Sequence, residues 1–241
     1  MSELSNRQSL ILERIVREYI KLAQPISSEF LEKKYQFGLC SASIRNEMQK
    51  LTERGFLFQP HPSAGRIPTD KGYRFFVDNL LEKELDSFQM EDEFSEIASS
   101  LFKNEIKDEI QFIQLLTKKI AQISRALALS YLEKEKVFLK EGWEEILKEP
   151  EFGEKNFVLS FTEFLENFED TIRDFEINSG IKIYIGKENP FGKTRDFSII
   201  LTKCCLPENE KGIISLLGPK RMAYDRNISL MDSLTKLLTN F

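Results

Sequence analysis

The sequence predicts an α+β chain built in two parts, and three observations predict it. Through the first 80 positions apolar residues recur at three- and four-residue steps, interrupted once by a short extended stretch rich in turn formers. After position 180 the apolar residues alternate with polar ones or run in short blocks, as strands do. Charge divides along the same line: residues 1–80 carry 12 Lys/Arg against 9 Asp/Glu, and residues 81–241 carry 22 against 30.

Residues 5–23 read as an amphipathic helix, with Leu10, Ile11, Ile15, Tyr19 and Leu22 at helical spacing, Ser5 as N-cap and Pro25 as the stop. A second helix starts at Ser27, with Phe30, Leu31 and Tyr35 on one face. The stretch 36–40 contains Gly38 and is a turn. A third helix begins at Ser41, buries Ile44, Met48 and Leu51, and stops at Gly55. Residues 56–59 and 66–69 are extended, on either side of His61-Pro62-Ser63-Ala64-Gly65. A fourth helix runs from Asp70 or Lys71 to about Leu81, with Tyr73, Phe76, Val77 and Leu80 on its apolar side. Three helices, a hairpin and a further helix are the order of a winged helix-turn-helix, over residues 1–85.

Residues 86–136 are expected to be mainly helical, a connector that could also dimerise. Ile97, Leu101, Ile106, Ile110, Ile113, Leu116, Ile120, Ile123 and Leu127 supply its apolar face. In residues 137–241, stretches 143–147 and 157–175 read as helices, and 181–185, 197–205 and 211–217 as strands. Turns fall at 190–193 and 207–211, and a helix over 228–238 closes the chain. A three-stranded antiparallel sheet covered by helices follows.

Composition excludes several classes. The chain is 41% hydrophobic and 30% charged, ordinary for a globular protein. No apolar run approaches the ~20 residues that span a bilayer. Met1 to Arg7 lacks the apolar core of a signal peptide, so a cytoplasmic location and no membrane partner are expected. Cys204 and Cys205 are adjacent and bridge only under strain, Cys40 stands alone, and His61 is the single histidine. No zinc spacing results, and neither metal nor cofactor is expected. There is no Ser/His/Asp order, no Gly-rich phosphate loop with Lys and no HExxH, so an enzyme is not expected.

The third helix carries the chemistry. With Ile44, Met48 and Leu51 turned inward, Ser43, Asn46, Gln49 and Lys50 face outward and Arg45 flanks them. These side-chain types read base edges and phosphates. The helix N-terminus adds amides that suit a phosphate. Taken alone, such a face fits a solvated helix equally well. The hairpin adds His61, Ser63 and Arg66 around a small Pro/Gly tip, which could enter a minor groove with Arg66 drawn by its negative potential. His61 fits a plain loop position as well as a phosphate contact. Ser27 and Ser41 complete the candidate DNA-binding residues. A ligand-responsive regulator, with a small molecule held beside the strands at 181–217, is the alternative function.

Three stretches resemble one family. The first is Ser41-Ala42-Ser43-Ile44-Arg45-Asn46-Glu47-Met48, continuing through Leu51, Gly55 and the unbroken run from Gln59 to Arg74. The second is Glu141-Gly142 with Leu147 and Pro150-Glu151-Phe152. The third is Ile185-Gly186-Lys187-Glu188-Asn189, then Gly212, Gly218-Pro219, Arg221-Met222 and Tyr224. Together they resemble the heat-inducible transcription repressor family HrcA. The resemblance implies a homodimer on an inverted-repeat operator in double-stranded DNA, upstream of chaperone operons. It implies the chaperonin GroEL as a partner that keeps the repressor competent, and a C-terminal GAF-like fold with an inserted dimerising domain. Against that pattern this sequence is short between Leu129 and Phe138. The missing stretch is expected to have held the first GAF-like strands and the inserted dimerising domain, leaving a reduced sheet. Ala42 also stands where the family pattern has proline, in the first turn of the third helix.

Overall fold

Four helices and a two-stranded ribbon build the first of two units, Met1–Glu84, in the computed structural model; the second unit is Leu85–Phe241. The structure describes residues 4–82, 109–175, 180–192, 195–205 and 211–239. In the first unit, helix α1 (Asn6–Leu22) starts where Ser5 and Gln8 cap each other, Ser5 Oγ accepting from the Gln8 amide and Gln8 Oε1 from the Ser5 amide, both at 3.3 Å. It buries Ile11, Leu12, Ile15 and Val16. It ends on Ala23, whose φ of 53° closes the last turn. Helix α2 (Ser28–Lys34) is capped by Ser27, and α3 (Ser41–Glu53) buries Ile44, Met48 and Leu51, the stripe expected of it. Strands β1 (Leu57–Phe58) and β2 (Ile67–Pro68) pair antiparallel, and Ile26 bridges Arg66 on the ribbon's far side. Helix α4 (Asp70–Glu82) closes the core with Tyr73, Phe76 and Val77.

One charged group lies inside this unit. Glu18 on α1 is 1% exposed; its carboxylate accepts from Lys34 Nζ at 2.6 Å and from the Tyr35 hydroxyl. Burial opposes the charge, but the Lys34 ammonium and the Tyr35 hydroxyl outweigh it and hold the carboxyl below its ordinary range. Burial and the adjacent carboxylate push the Tyr35 phenol up to about 12. The pair ties the end of α2 to the middle of α1.

The second unit departs from expectation at its start. Helix α5 (Glu109–Ser124) is helical as expected, but Arg125 turns with φ 53° and the chain enters strand β3 (Leu127–Leu132) and then β4 (Val137–Glu141). The helical connector to residue 136 is therefore corrected: its last ten residues are strand β3 and the turn that leads into β4. All six β3 residues are buried, so the alternation that marks a strand is missing and the stretch passes for a helix face. Ile97, Leu101 and Ile106 of the expected dimerising face, the junction at 85/86 and most of the turn at 207–211 lie outside the described residues.

After β4 come the short helix α6 (Trp143–Ile146), a 3-10 turn (Pro150–Gly153), α7 (Lys155–Ile172), strands β5 (Lys182–Ile185), β6 (Phe197–Cys205) and β7 (Lys211–Pro219), and α8 (Tyr224–Thr239). The sheet has five strands in the order β4-β3-β7-β6-β5, antiparallel throughout, rather than the expected three. On one face Leu127, Leu129, Ile199, Leu201, Ile213 and Leu217 pack against Phe161, Phe164 and Phe168 of α7. The other face takes α5 and α8. There Thr117 meets Ser130 at 2.6 Å and Ser198 meets the Tyr224 hydroxyl at 2.7 Å, polar pairs buried across the helix–sheet interface. Arg221, 8% exposed, donates from Nε to Glu151 at 2.6 Å and also pairs with Glu149, clipping the loop before α8 to the 3-10 turn.

Candidate nucleic-acid interface

Helix α3 presents one exposed polar face, because its apolar stripe is spent on the core. Arg45, Asn46, Gln49 and Lys50 are exposed, and Ser41 and Ser43 half-buried at its first turn. Asn46 has no partner among the described residues. The other three long side chains are engaged within the chain. Arg45 pairs with Glu29 of α2. Lys50 Nζ donates to Glu47 Oε1 at 2.9 Å, and Gln49 Nε2 donates to Glu53 Oε1 at 3.1 Å. The Lys50 ammonium holds the Glu47 carboxyl below its ordinary range. Three carboxylates thus stand among the cations of this face, and a phosphate must compete with them for Arg45 and Lys50.

The hairpin loop behaves otherwise than expected at one residue. His61 and Ser63 are exposed at its tip, where the Ala64 amide closes a turn on the His61 carbonyl at 2.9 Å. Arg66 is not at the tip. It is 8% exposed and turned back onto α3, donating from Nε to Thr52 Oγ1 and from Nη2 to Gln49 Oε1, each at 3.1 Å. The expectation that Arg66 enters a minor groove is corrected: its guanidinium is taken up by two residues one turn apart on the helix. Burial and the nearby Arg45 charge lower its pKa, a cost that those two bonds offset.

A groove of about 320 Å³ runs between α2, α3 and the loop, bordered by Ser27, Glu29, Arg45, Gln59, Ser63 and Arg66. It brings together four of the predicted residues, Ser27, Arg45, Ser63 and Arg66. Ser27 Oγ is already used as the α2 cap, accepting from the Phe30 amide at 3.1 Å. Three contributors were missed. Glu29 aims Arg45, Thr52 receives Arg66, and Gln59 Nε2 donates to the Pro62 and Ala64 carbonyls at 2.8 and 3.0 Å and so shapes the loop. Nothing in helical or strand periodicity marks such cross-element pairs. Among the described residues no group of three or more His, Cys, Asp or Glu side chains is placed to hold a metal, and no helix is long and apolar enough to cross a membrane.

A polar helix face beside a hairpin is followed along the chain by a helix-flanked antiparallel sheet. The family model described as the HrcA protein C terminal domain matches residues 76–228, and the chain belongs to the HrcA family. Proteins named heat-inducible transcription repressor HrcA align with it almost end to end. That of Natranaerobius thermophilus is 28% identical over 330 residues, covering 98% of this chain and 96% of that one. That of Caldanaerobacter subterraneus subsp. tengcongensis is 29% identical over 335, covering 98% and 96%. Both alignments are longer than the 241 residues of this chain, so the relatives carry an internal stretch it lacks. A solved structure described as a hypothetical protein shares the fold at a TM-score of 0.75 with 20% identity, covering 99% of this chain and 98% of that one. As a member of the family the protein is a transcription repressor and not an enzyme.

Proposed function

We propose that residues 1–85 are a winged helix-turn-helix DNA-binding domain, and that the protein represses heat-shock chaperone operons by binding an inverted-repeat operator in double-stranded DNA as a homodimer. The exposed polar face of α3, with Asn46 free to reach a base edge, is the observation that carries this. Arg45, Lys50, Ser41 and Ser43 supply further base and phosphate contacts, with His61 and Ser63 at the wing tip and Ser27 on the groove. A single winged helix covers a short half-site, so tight binding calls for two copies. The five-stranded sheet between helices fits a GAF-like domain that keeps its strands while lacking the inserted segment. The family's chaperonin link makes GroEL the expected protein partner, acting in the cytoplasm at the nucleoid.

Footprinting of the full chain on chaperone promoters tests this. Protection of two half-sites of one inverted repeat is expected, with sedimentation at micromolar concentration giving a dimer. Uniform protection of unrelated DNA, or a monomer alone, would defeat the proposal.

A further inference from the structure

We propose that Arg66 is a positioning residue that locks the hairpin loop to α3, so that loop and helix meet one duplex as a single rigid surface; this rests on the DNA-binding role assigned above. Its backbone is tied first. The Ile26 amide donates to the Arg66 carbonyl at 2.9 Å and the Arg66 amide to the Ile26 carbonyl at 2.8 Å, holding the ribbon against the chain before α2. Its side chain is tied second. The guanidinium spans Gln49 and Thr52, which lie three apart and share a helix face. Thr52 Oγ1 also donates to the Met48 carbonyl at 2.9 Å, so the tie ends on helix backbone. Gln59 fixes the loop beyond.

The planar fork of an arginine suits this bridge, because two donors leave it at a set angle. At 8% exposure it has little surface left for a phosphate. Gln49 takes part in the same tie: Arg66 and Glu53 set the orientation of its amide. A loop and helix held in fixed relation lose less freedom on binding, and both contribute to an operator that presents both contacts. On unrelated DNA, where phosphate attraction dominates, the relation matters little.

The test uses the full chain and two variants. Arg66→Met keeps the buried stem and removes the fork; Thr52→Val removes one receiving hydroxyl and is the milder probe should the first not fold. Affinities for an operator duplex and an unrelated duplex are measured across a salt series, with Lys50→Ala as a phosphate-contact comparator. Arg66→Met is expected to weaken operator binding about tenfold, the loss that follows from breaking charge-assisted bonds. Unrelated DNA should bind within about twofold of the parent, with the salt slope unchanged, whereas Lys50→Ala lowers the slope by about one. Thr52→Val should show the same pattern at smaller size. A slope reduced in Arg66→Met, or operator affinity untouched in both variants, overturns the proposal. Amide exchange at Ile26 and Arg66 in the free protein reads the tie without DNA. It should quicken in both variants while α3 stays protected, and unchanged exchange again overturns it. A parent protein that does not prefer the operator defeats the DNA-binding assignment instead, and the exchange data still decide the tie.

Discussion

Replacing Gly65 by alanine should unlatch the ribbon from the chain before α2. An alanine Cβ at that position would lie 2.3 Å from both the carbonyl carbon and the oxygen of Ile26, and 2.8 Å from its nitrogen. Carbon atoms settle at about 3.5–4.0 Å, so the two segments must part by roughly 1 Å. The two bonds between Ile26 and Arg66, now 2.9 and 2.8 Å, would then exceed hydrogen-bonding distance. Their loss costs about 2 kcal/mol together. Partial exposure of Ile26, 2% accessible at present, adds about 1 kcal/mol. The alanine restricts the unfolded chain and returns about 0.4–1 kcal/mol. The net is about 2 kcal/mol, which lowers the midpoint of a unit this size by roughly 8–16 °C. Thermal unfolding of the full chain by circular dichroism reads this, with Gly153→Ala as a control in the second unit, where a Cβ meets nothing within 4 Å. A Gly65→Ala protein melting within about 2 °C of the parent would refute the close-contact argument.

Other expectations follow from the same structure. Asn46→Ala and Arg45→Ala should each weaken operator binding by about 1–3 kcal/mol in a titration at fixed salt; unaltered affinity in both would take the reading face away from α3. Glu18→Gln should destabilise the first unit by about 1–3 kcal/mol at pH 7 in urea unfolding. Because the Glu18 carboxyl sits below its ordinary value of 4.5 when folded, its contribution is present above that value and fades as pH falls through the lowered one. The gap between variant and parent should therefore narrow in acid, and a widening gap would contradict the assignment. Phe164→Ala should cost the second unit about 3–5 kcal/mol, since a fully buried ring against Phe161 and Phe197 leaves a void, and a smaller loss would mean that the α7 face collapses to fill it.

Much of the first unit was legible because its signals are local. Ser5, Ser27 and Gly55 mark helix ends through hydrogen bonds within four residues, and Ile44, Met48 and Leu51 mark the inward face by spacing alone. The set of exposed side chains on α3 followed from that spacing. What they touch did not. Glu29 lies 16 residues from Arg45, and Gln49 lies 17 from Arg66; both pairs exist only after the elements have packed. Arg66 was misjudged because its place beside a Pro/Gly turn suggests exposure, whereas its backbone belongs to a third strand-like pairing with Ile26. Strands β3 and β4 were missed for the opposite reason. Burial on both faces erased the period of β3, and β4 is an edge strand of half-buried residues.

The place of β7 at the centre of the sheet sets a timetable for synthesis. Strand β3, complete at Leu132, pairs with β7, complete only at Pro219. At the rates at which ribosomes work, the residues between them take roughly 4–17 s to make. Over that interval β3 has β4 along one edge and α5 on one face, but its other edge has no strand to pair with, while every element of the first unit has already been translated. The first unit is thus made before the sheet can close, and the nascent chain spends seconds displaying an apolar strand edge, the surface on which aggregation and chaperone capture act. A stop codon ahead of residue 211 would leave that edge open permanently, with the first unit's sequence intact.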